Sequence, residues 1–166
     1  MKKLFILFIA VAGFVATSKA QVSANASATA TIVTPIGITK TVDMNFGNVA
    51  VSANPGTVIL TPEGTTSATA GVTLPAVKGL IKAASFTVTG TDTYTYAITL
   101  PSGATTVSNG ANSMTVDTWT STPTPTGVLT GGSQTLNVGA TLNVAGSQAA
   151  GVYTSLTPFT VTVNYN

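Results

Sequence analysis

Apolar residues in this chain recur on every second position, and after the first twenty residues no window of a dozen shows the three-to-four spacing of an amphipathic helix. In TYTYAITLPSG, Thr93 to Gly103, the residues Tyr94, Tyr96, Ile98 and Leu100 share one side of an extended backbone, and Thr93, Thr95, Ala97 and Thr99 share the other. In TPFTVTVNYN, Thr157 to Asn166, the apolar side holds Phe159, Val161, Val163 and Tyr165. A period of two is the period of a strand, whose successive side chains point to opposite faces. About a fifth of the chain is Thr, which is stiff at its first side-chain torsion and suits a pleated surface. Short alternating runs punctuated by Gly and Pro predict an all-β chain folded as an antiparallel sandwich or barrel.

Further strands are expected over Ala24 to Val33, Ile36 to Val42, Met44 to Val51, Gly56 to Gly64, Gly71 to Val77 and Ala83 to Gly90. Gly90-Thr91-Asp92 is a plausible hairpin turn between the run carrying Phe86 and Val88 and the run carrying Tyr94 and Tyr96. Ser113 to Thr120 places Met114, Val116 and Thr118 on one face and Asp117 and Trp119 on the other, and the Pro-rich stretch Ser121 to Gly127 reads as a loop. Thr-Leu-Asn-Val occurs at Thr135 to Val138 and again at Thr141 to Val144, with Gly139-Ala140 between. We read this as a duplicated hairpin arm, with one strand crossing a bend as the alternative; a solenoid needs a longer period.

The opening MKKLFILFIAVAGFVATSKA has Lys2 and Lys3, an apolar run from Leu4 to about Ala16, and small residues around Ser18 and Ala20. That is the layout of a cleaved secretory signal peptide, and the run is shorter than the roughly 20 apolar residues of a membrane span. The expected organisation is a signal peptide over 1–20 and one β-sandwich domain over 21–166, with 21–33 as an N-terminal strand that is self-paired or detachable. The expected location is secreted or at the cell surface after periplasmic transit. With no Cys in the chain, a lipoprotein anchor and disulfides are both ruled out.

Removing the signal leaves Lys40, Lys78 and Lys82 against Asp43, Glu63, Asp92 and Asp117, a net charge of −1 in place of the precursor's +2. Arg is absent, so no basic surface remains to neutralise phosphates, and nucleic acid is not an expected partner. Without His or Cys, the usual nucleophile–base pairs and transition-metal ligands are missing. The four carboxylates read as three turn acids and one strand acid rather than a glycosidase pair. No catalytic, cofactor-binding or metal-binding residue is assigned. Threonine ladders are able to present hydroxyls to ice or sugar, but filling the solvent face of strands is their commoner use. Trp119 beside the Pro-rich loop is the candidate ligand platform, for a glycan if for anything.

Charge-poor strands are poorly protected against edge-to-edge pairing. Phe159, Val161, Val163 and Tyr165 are therefore the candidate strand-pairing residues, whether for another copy, for a secretion partner or within the domain itself.

Met44-Asn45-Phe46-Gly47, Gly56-Thr57-Val58 and Pro62-Glu63-Gly64, followed by Val138-Gly139, Gly151-Val152-Tyr153 and Phe159-Thr160-Val161-Thr162-Val163-Asn164-Tyr165, form an ordered set across most of the chain. The set resembles a family of uncharacterised secreted bacterial β proteins close to spore coat protein U and, more distantly, chaperone–usher pilins. The resemblance implies an immunoglobulin-like sandwich displayed outside the cell. It also implies a final strand read by a periplasmic chaperone, with Tyr165 at the next-to-last aromatic position. The paired cysteines of many pilins are absent, and the leading segment carries Ala at four of its six alternating places, Val22, Ala24, Ala26, Ala28, Ala30 and Ile32. A donated strand of that kind fills pockets poorly, since each buried methylene is worth about 0.8 kcal/mol. One complete sandwich that uses both ends as its own strands remains the alternative.

The expected function is an exported structural or adhesin-like, pilin-like subunit acting by β-strand pairing without catalysis. The alternative is a secreted glycan- or ligand-binding module using the Trp119 region. A small outer-membrane barrel ranks third, because many of the runs are short of the roughly 9–11 residues that a spanning strand needs.

Overall fold

The computed structural model describes residues 20–166. The predicted signal peptide falls, but for its last residue, outside them. Residues 20–32 carry no strand and are exposed throughout, so the alternating strand expected from Ala24 to Val33 is not formed. Its physical weakness is side-chain size: Ala at alternate places buries too little area to offset the cost of ordering the backbone. Val33–Asn166 form a separate compact unit. No helix among the described residues is long and apolar enough to cross a membrane.

The compact unit is all-β. Its strands are β1 (Gly37–Val42), β2 (Asn45–Phe46), β3 (Ala50–Leu60), β4 (Thr66–Thr73), β5 (Ile81–Lys82), β6 (Ala84–Thr89), β7 (Thr95–Thr99), β8 (Thr105–Asn109), β9 (Asn112–Thr122), β10 (Thr126–Val128), β11 (Ser133–Val144), β12 (Thr154–Ser155) and β13 (Thr162–Tyr165). Each of their pairings is antiparallel. An eight-stranded sheet runs β1-β6-β11-β9-β8-β12, with β3 also on β11 and β4 on β3. A second sheet runs β10-β7-β13, and β2 pairs β5. The result is an antiparallel β-sandwich.

The organising strand is β11. One edge pairs β9 over Asn137–Asn143. The opposite edge is shared: Ser133–Val138 pair β6, and Ala140–Val144 pair β3. The sheet forks at Gly139, where a Cβ would collide with the Leu60 carbonyl and with the Thr61–Pro62 backbone. Here glycine serves close approach of two backbones rather than a turn. The repeated Thr-Leu-Asn-Val units are therefore two halves of one continuous strand, and the hairpin reading is overturned. Because six is even, a six-residue repeat keeps strand phase, so Leu136 and Leu142 point the same way.

Two apolar clusters follow from that phase. Leu136 and Val138 pack with Ala84, Val88, Tyr96, Leu129, Val161 and Val163. Ala140, Leu142 and Val144 pack with Val58, Val72 and Val116. Each fully buried Val or Leu contributes about 1.5–3 kcal/mol, so the face of β11 underwrites both halves of the molecule.

Two further expectations are corrected. β6 belongs to the large sheet and β7 to the small one, so Gly90-Thr91-Asp92 is an arch between layers and not a hairpin. An arch lets the apolar faces of β6 and β7 look at each other; a hairpin would lay them side by side. The arch is held by Asp92 Oδ1, which accepts from Thr93 N at 2.8 Å and Gly131 N at 2.7 Å. In β9 the alternation breaks. Between the pairs Gly139–Thr120 and Thr141–Asp117, β9 places Thr118 and Trp119 opposite Ala140 alone. Thr118 has φ 50°, the left-handed conformation of a bulged residue. The extra residue turns Trp119 and Ser121 inward, onto the face of Met114 and Val116 and opposite to the expectation for Trp119.

Candidate functional site

The last strand is committed to the core by its side chains and open at its edge. Thr162–Tyr165 pair β7 from Thr99 to Tyr96, and β13 ends the small sheet. Val161 and Val163 are buried, and Phe159 and Tyr165 are half-buried against the same cluster. Phe159 sits edge-on to Phe86 at 6.4 Å between ring centroids. The Tyr165 hydroxyl donates to the Thr34 carbonyl at 2.7 Å and accepts from Thr91 N at 2.7 Å. Thr34 N in turn donates to Thr91 Oγ1 at 2.9 Å. This knot ties the start of the compact unit, the arch and β13 together. Alternation in the sequence identified the inward side chains; nothing local announced the bond of Tyr165 to Thr34, 131 residues away.

Beside β13 lies β1, which ends the large sheet. The two strands approach one another without pairing. One flank of the sandwich thus carries two adjacent strand edges with unpaired backbone groups. The β13 side holds no charged residue, and on β1 the charge is Lys40, which is bonded to Asp43 at 2.6 Å.

Trp119 is half-buried, not a free platform: its ring lies 4.5 Å from that of Phe159 at an interplanar angle of 38°, and its Nε1 donates to the Gly103 carbonyl at 3.1 Å. It touches both apolar clusters and so joins the two halves of the core.

Each carboxylate accepts a hydrogen bond within the fold. Asp43 accepts from Lys40, and Asp92 closes the arch. Glu63 accepts from Thr122 Oγ1 at 3.0 Å, and its own backbone N–H with the hydroxyls of Thr61 and Thr122 holds it below the usual glutamate range. Asp117 accepts from Thr118 Oγ1 at 3.0 Å and from Asn143 Nδ2 at 2.9 Å. No group of three metal-ligating side chains occurs among the described residues. Burial raises the pKa of Tyr96, whose hydroxyl donates to Gln134 Oε1 at 2.8 Å. The same oxygen accepts from Val128 N at 2.9 Å, an arrangement that locks β10 to β11.

The hydroxyl arrays are cross-strand, which reading along the chain does not reveal. Register places Thr69, Thr57, Asn143, Thr115 and Thr106 in one row across β4, β3, β11, β9 and β8. A second row crosses Thr39, Thr87 and Thr135. At the first row an open depression of about 580 Å³ forms between β4, β3, β11 and β9.

A family model described as a domain of unknown function, DUF4402, matches residues 36–165. No curated protein and no solved structure matches the chain.

Proposed function

The chain belongs to the DUF4402 family, and from that footing we propose that it is an exported, non-catalytic structural or adhesin-like subunit of the cell surface that acts by β-strand pairing. The observation that carries this reading is the open flank, where β1 and β13 end their sheets side by side without pairing. Sheet edges are templates for another strand, and soluble proteins usually blunt them with Lys, Pro or bulges. β1 carries two of these devices, Lys40 and a register shift between Lys40 and Val42, whereas β13 pairs without a bulge, is uncharged and is free of Pro, so β13 is the edge left to pair. An added strand would draw affinity from backbone bonds and register from alternating side chains.

Two further features support the reading. The carboxylates are occupied in turns and strands, which suits a scaffold better than a catalyst. The basic, apolar and small-residue order of the first twenty residues is that of an export signal. Kinship with spore coat protein U and with chaperone–usher pilins belongs to the same proposal, and it rests on the ordered motifs from Met44-Asn45-Phe46-Gly47 to the alternation that ends at Tyr165.

The test is the solution mass of the exported chain by light scattering across a concentration series, with Asn164→Lys as the edge-blocking variant. Concentration-dependent oligomers that the variant reduces to monomers are expected. A monodisperse monomer at every concentration, with no partner captured during export, would overturn the proposal.

A further inference from the structure

We infer that the depression between β3, β4, β9 and β11 binds a neutral carbohydrate. It is separate from the open flank and from Trp119. Its volume of about 580 Å³ lies inside the roughly 300–1,000 Å³ span of small-ligand sites. Its walls combine the hydroxyls of Thr57, Thr69 and Thr115 and the amide of Asn143 with the exposed apolar surfaces of Pro55, Ala70 and Ala145. A pyranose has the matching character: hydroxyls around the rim and C–H groups on the faces. No charged side chain lines the depression, so a phosphate or carboxylate ligand would find no counter-charge. A purely apolar ligand would cover the Asn143 carboxamide oxygen without giving it a hydrogen-bond donor, which disfavours such a ligand.

The polar groups are already oriented. Asn143 Nδ2 donates to Asp117 Oδ2 at 2.9 Å and reaches Thr115 Oγ1 at 3.3 Å. That fixes the amide and leaves its Oδ1 without a protein partner among the described residues. Asp117, two residues along β9 from Thr115, anchors the amide. Thr57 Oγ1 and Thr69 Oγ1 share a bond of 2.7 Å, and Thr57 N donates to Thr69 Oγ1 at 3.2 Å. A hydroxyl has one donor and two acceptor positions, so capacity remains for a ligand. All four side chains stand on paired strands and not on loops, which lowers the ordering cost of binding. With no aromatic ring for stacking, affinity is expected in the millimolar range.

The experiment is a ¹H–¹⁵N correlation titration of the folded chain with cellotetraose, maltotetraose and chitotetraose. The expected result is saturable shifts of the Asn143 side-chain amide and of the Thr57, Thr69 and Thr115 backbone amides with at least one of the three. Thr57→Val with Thr69→Val should weaken that binding roughly tenfold, the worth of one to two hydrogen bonds. Thr115→Ser, which keeps the hydroxyl, should leave it within about twofold. No saturable shift with any probe would refute the inference, as would shifts centred on Trp119. Tighter binding of an oligogalacturonate than of all three neutral sugars would also refute it. Asn164→Lys should not alter the titration, so failure of this site and failure of edge pairing are read separately.

Discussion

Replacing Tyr165 by Phe keeps the ring in its place and removes one oxygen, so it isolates the knot at Thr34, Thr91 and Tyr165. The Thr34 carbonyl keeps a partner, because Thr91 Oγ1 also donates to it at 3.3 Å. The Thr91 N–H, in the arch itself and part-buried, loses the acceptor it has at 2.7 Å. Leaving such a donor unsatisfied costs about 1–3 kcal/mol. For a unit of this size, between the small and mid-sized ranges, 1 kcal/mol corresponds to roughly 4 °C in Tm, so a fall of about 4–12 °C is expected. Tyr94→Phe is the control: Tyr94 packs edge-on to Tyr165 at 5.4 Å between ring centroids, its hydroxyl has no partner among the described residues, and the change should stay within about 0.5 kcal/mol. Gly90 supplies a second arm, since a Cβ there would collide with the Tyr165 hydroxyl and press on Leu129 Cδ1. Gly90→Ala should therefore cost less stability in the Tyr165→Phe background than in the native one, a coupling that a double-mutant cycle reads directly. Thermal melts of these chains followed by circular dichroism decide the matter. If Tyr165→Phe melted with Tyr94→Phe, or if Gly90→Ala cost the same in both backgrounds, the knot would not be holding the fold.

Thr118→Gly should stabilise the chain by up to about 1 kcal/mol in urea unfolding, because Thr118 holds φ 50° and a β-branched residue is strained there; a net loss would mean that its bond to Asp117 outweighs the strain. Glu63 is held below the usual glutamate range, so its contribution to stability is present above the ordinary glutamate pKa and fades as pH falls through the lowered value. A carboxyl-detected NMR titration should find Glu63 low, and Thr122→Val should raise it; an unchanged value would remove Thr122 as a cause.

What the sequence made legible was whatever depends on neighbours along the chain. The inward faces of β6, β7 and β13 were readable because their alternation is unbroken. Trp119 was misplaced because a bulge at a threonine carries no local sign; a glycine there would have been suggestive. The role of Gly139 was hidden for a related reason: its neighbour is the Leu60 carbonyl, reached only once β3 and β6 divide the edge of β11. The Gly90-Thr91-Asp92 reversal was visible, but turn chemistry fixes a change of direction and leaves the pairing partner open. The depression and the open flank were not readable at all, since both depend on register between strands far apart in the chain. The first needs Thr69, Thr57, Asn143 and Thr115 to come level, and the second needs β1 and β13 to end two different sheets side by side.

The position of β11 in the chain also sets a clock. Its partners β3, β6 and β9 all precede it, and the register joins Leu60 to Ala140 and Thr89 to Ser133. Until Ser133–Val144 are available, β3 and β6 have no strand to divide, and neither apolar cluster has its central wall. A polypeptide delivered from its N-terminus has its β1–β6, β3–β4 and β8–β9 pairs complete before β11 arrives, but only β11 joins them into one sheet, late and through contacts of long sequence separation. Topologies of that kind fold on the scale of milliseconds to seconds. Such a delay lengthens the interval during which uncharged strands are free to meet the wrong neighbour.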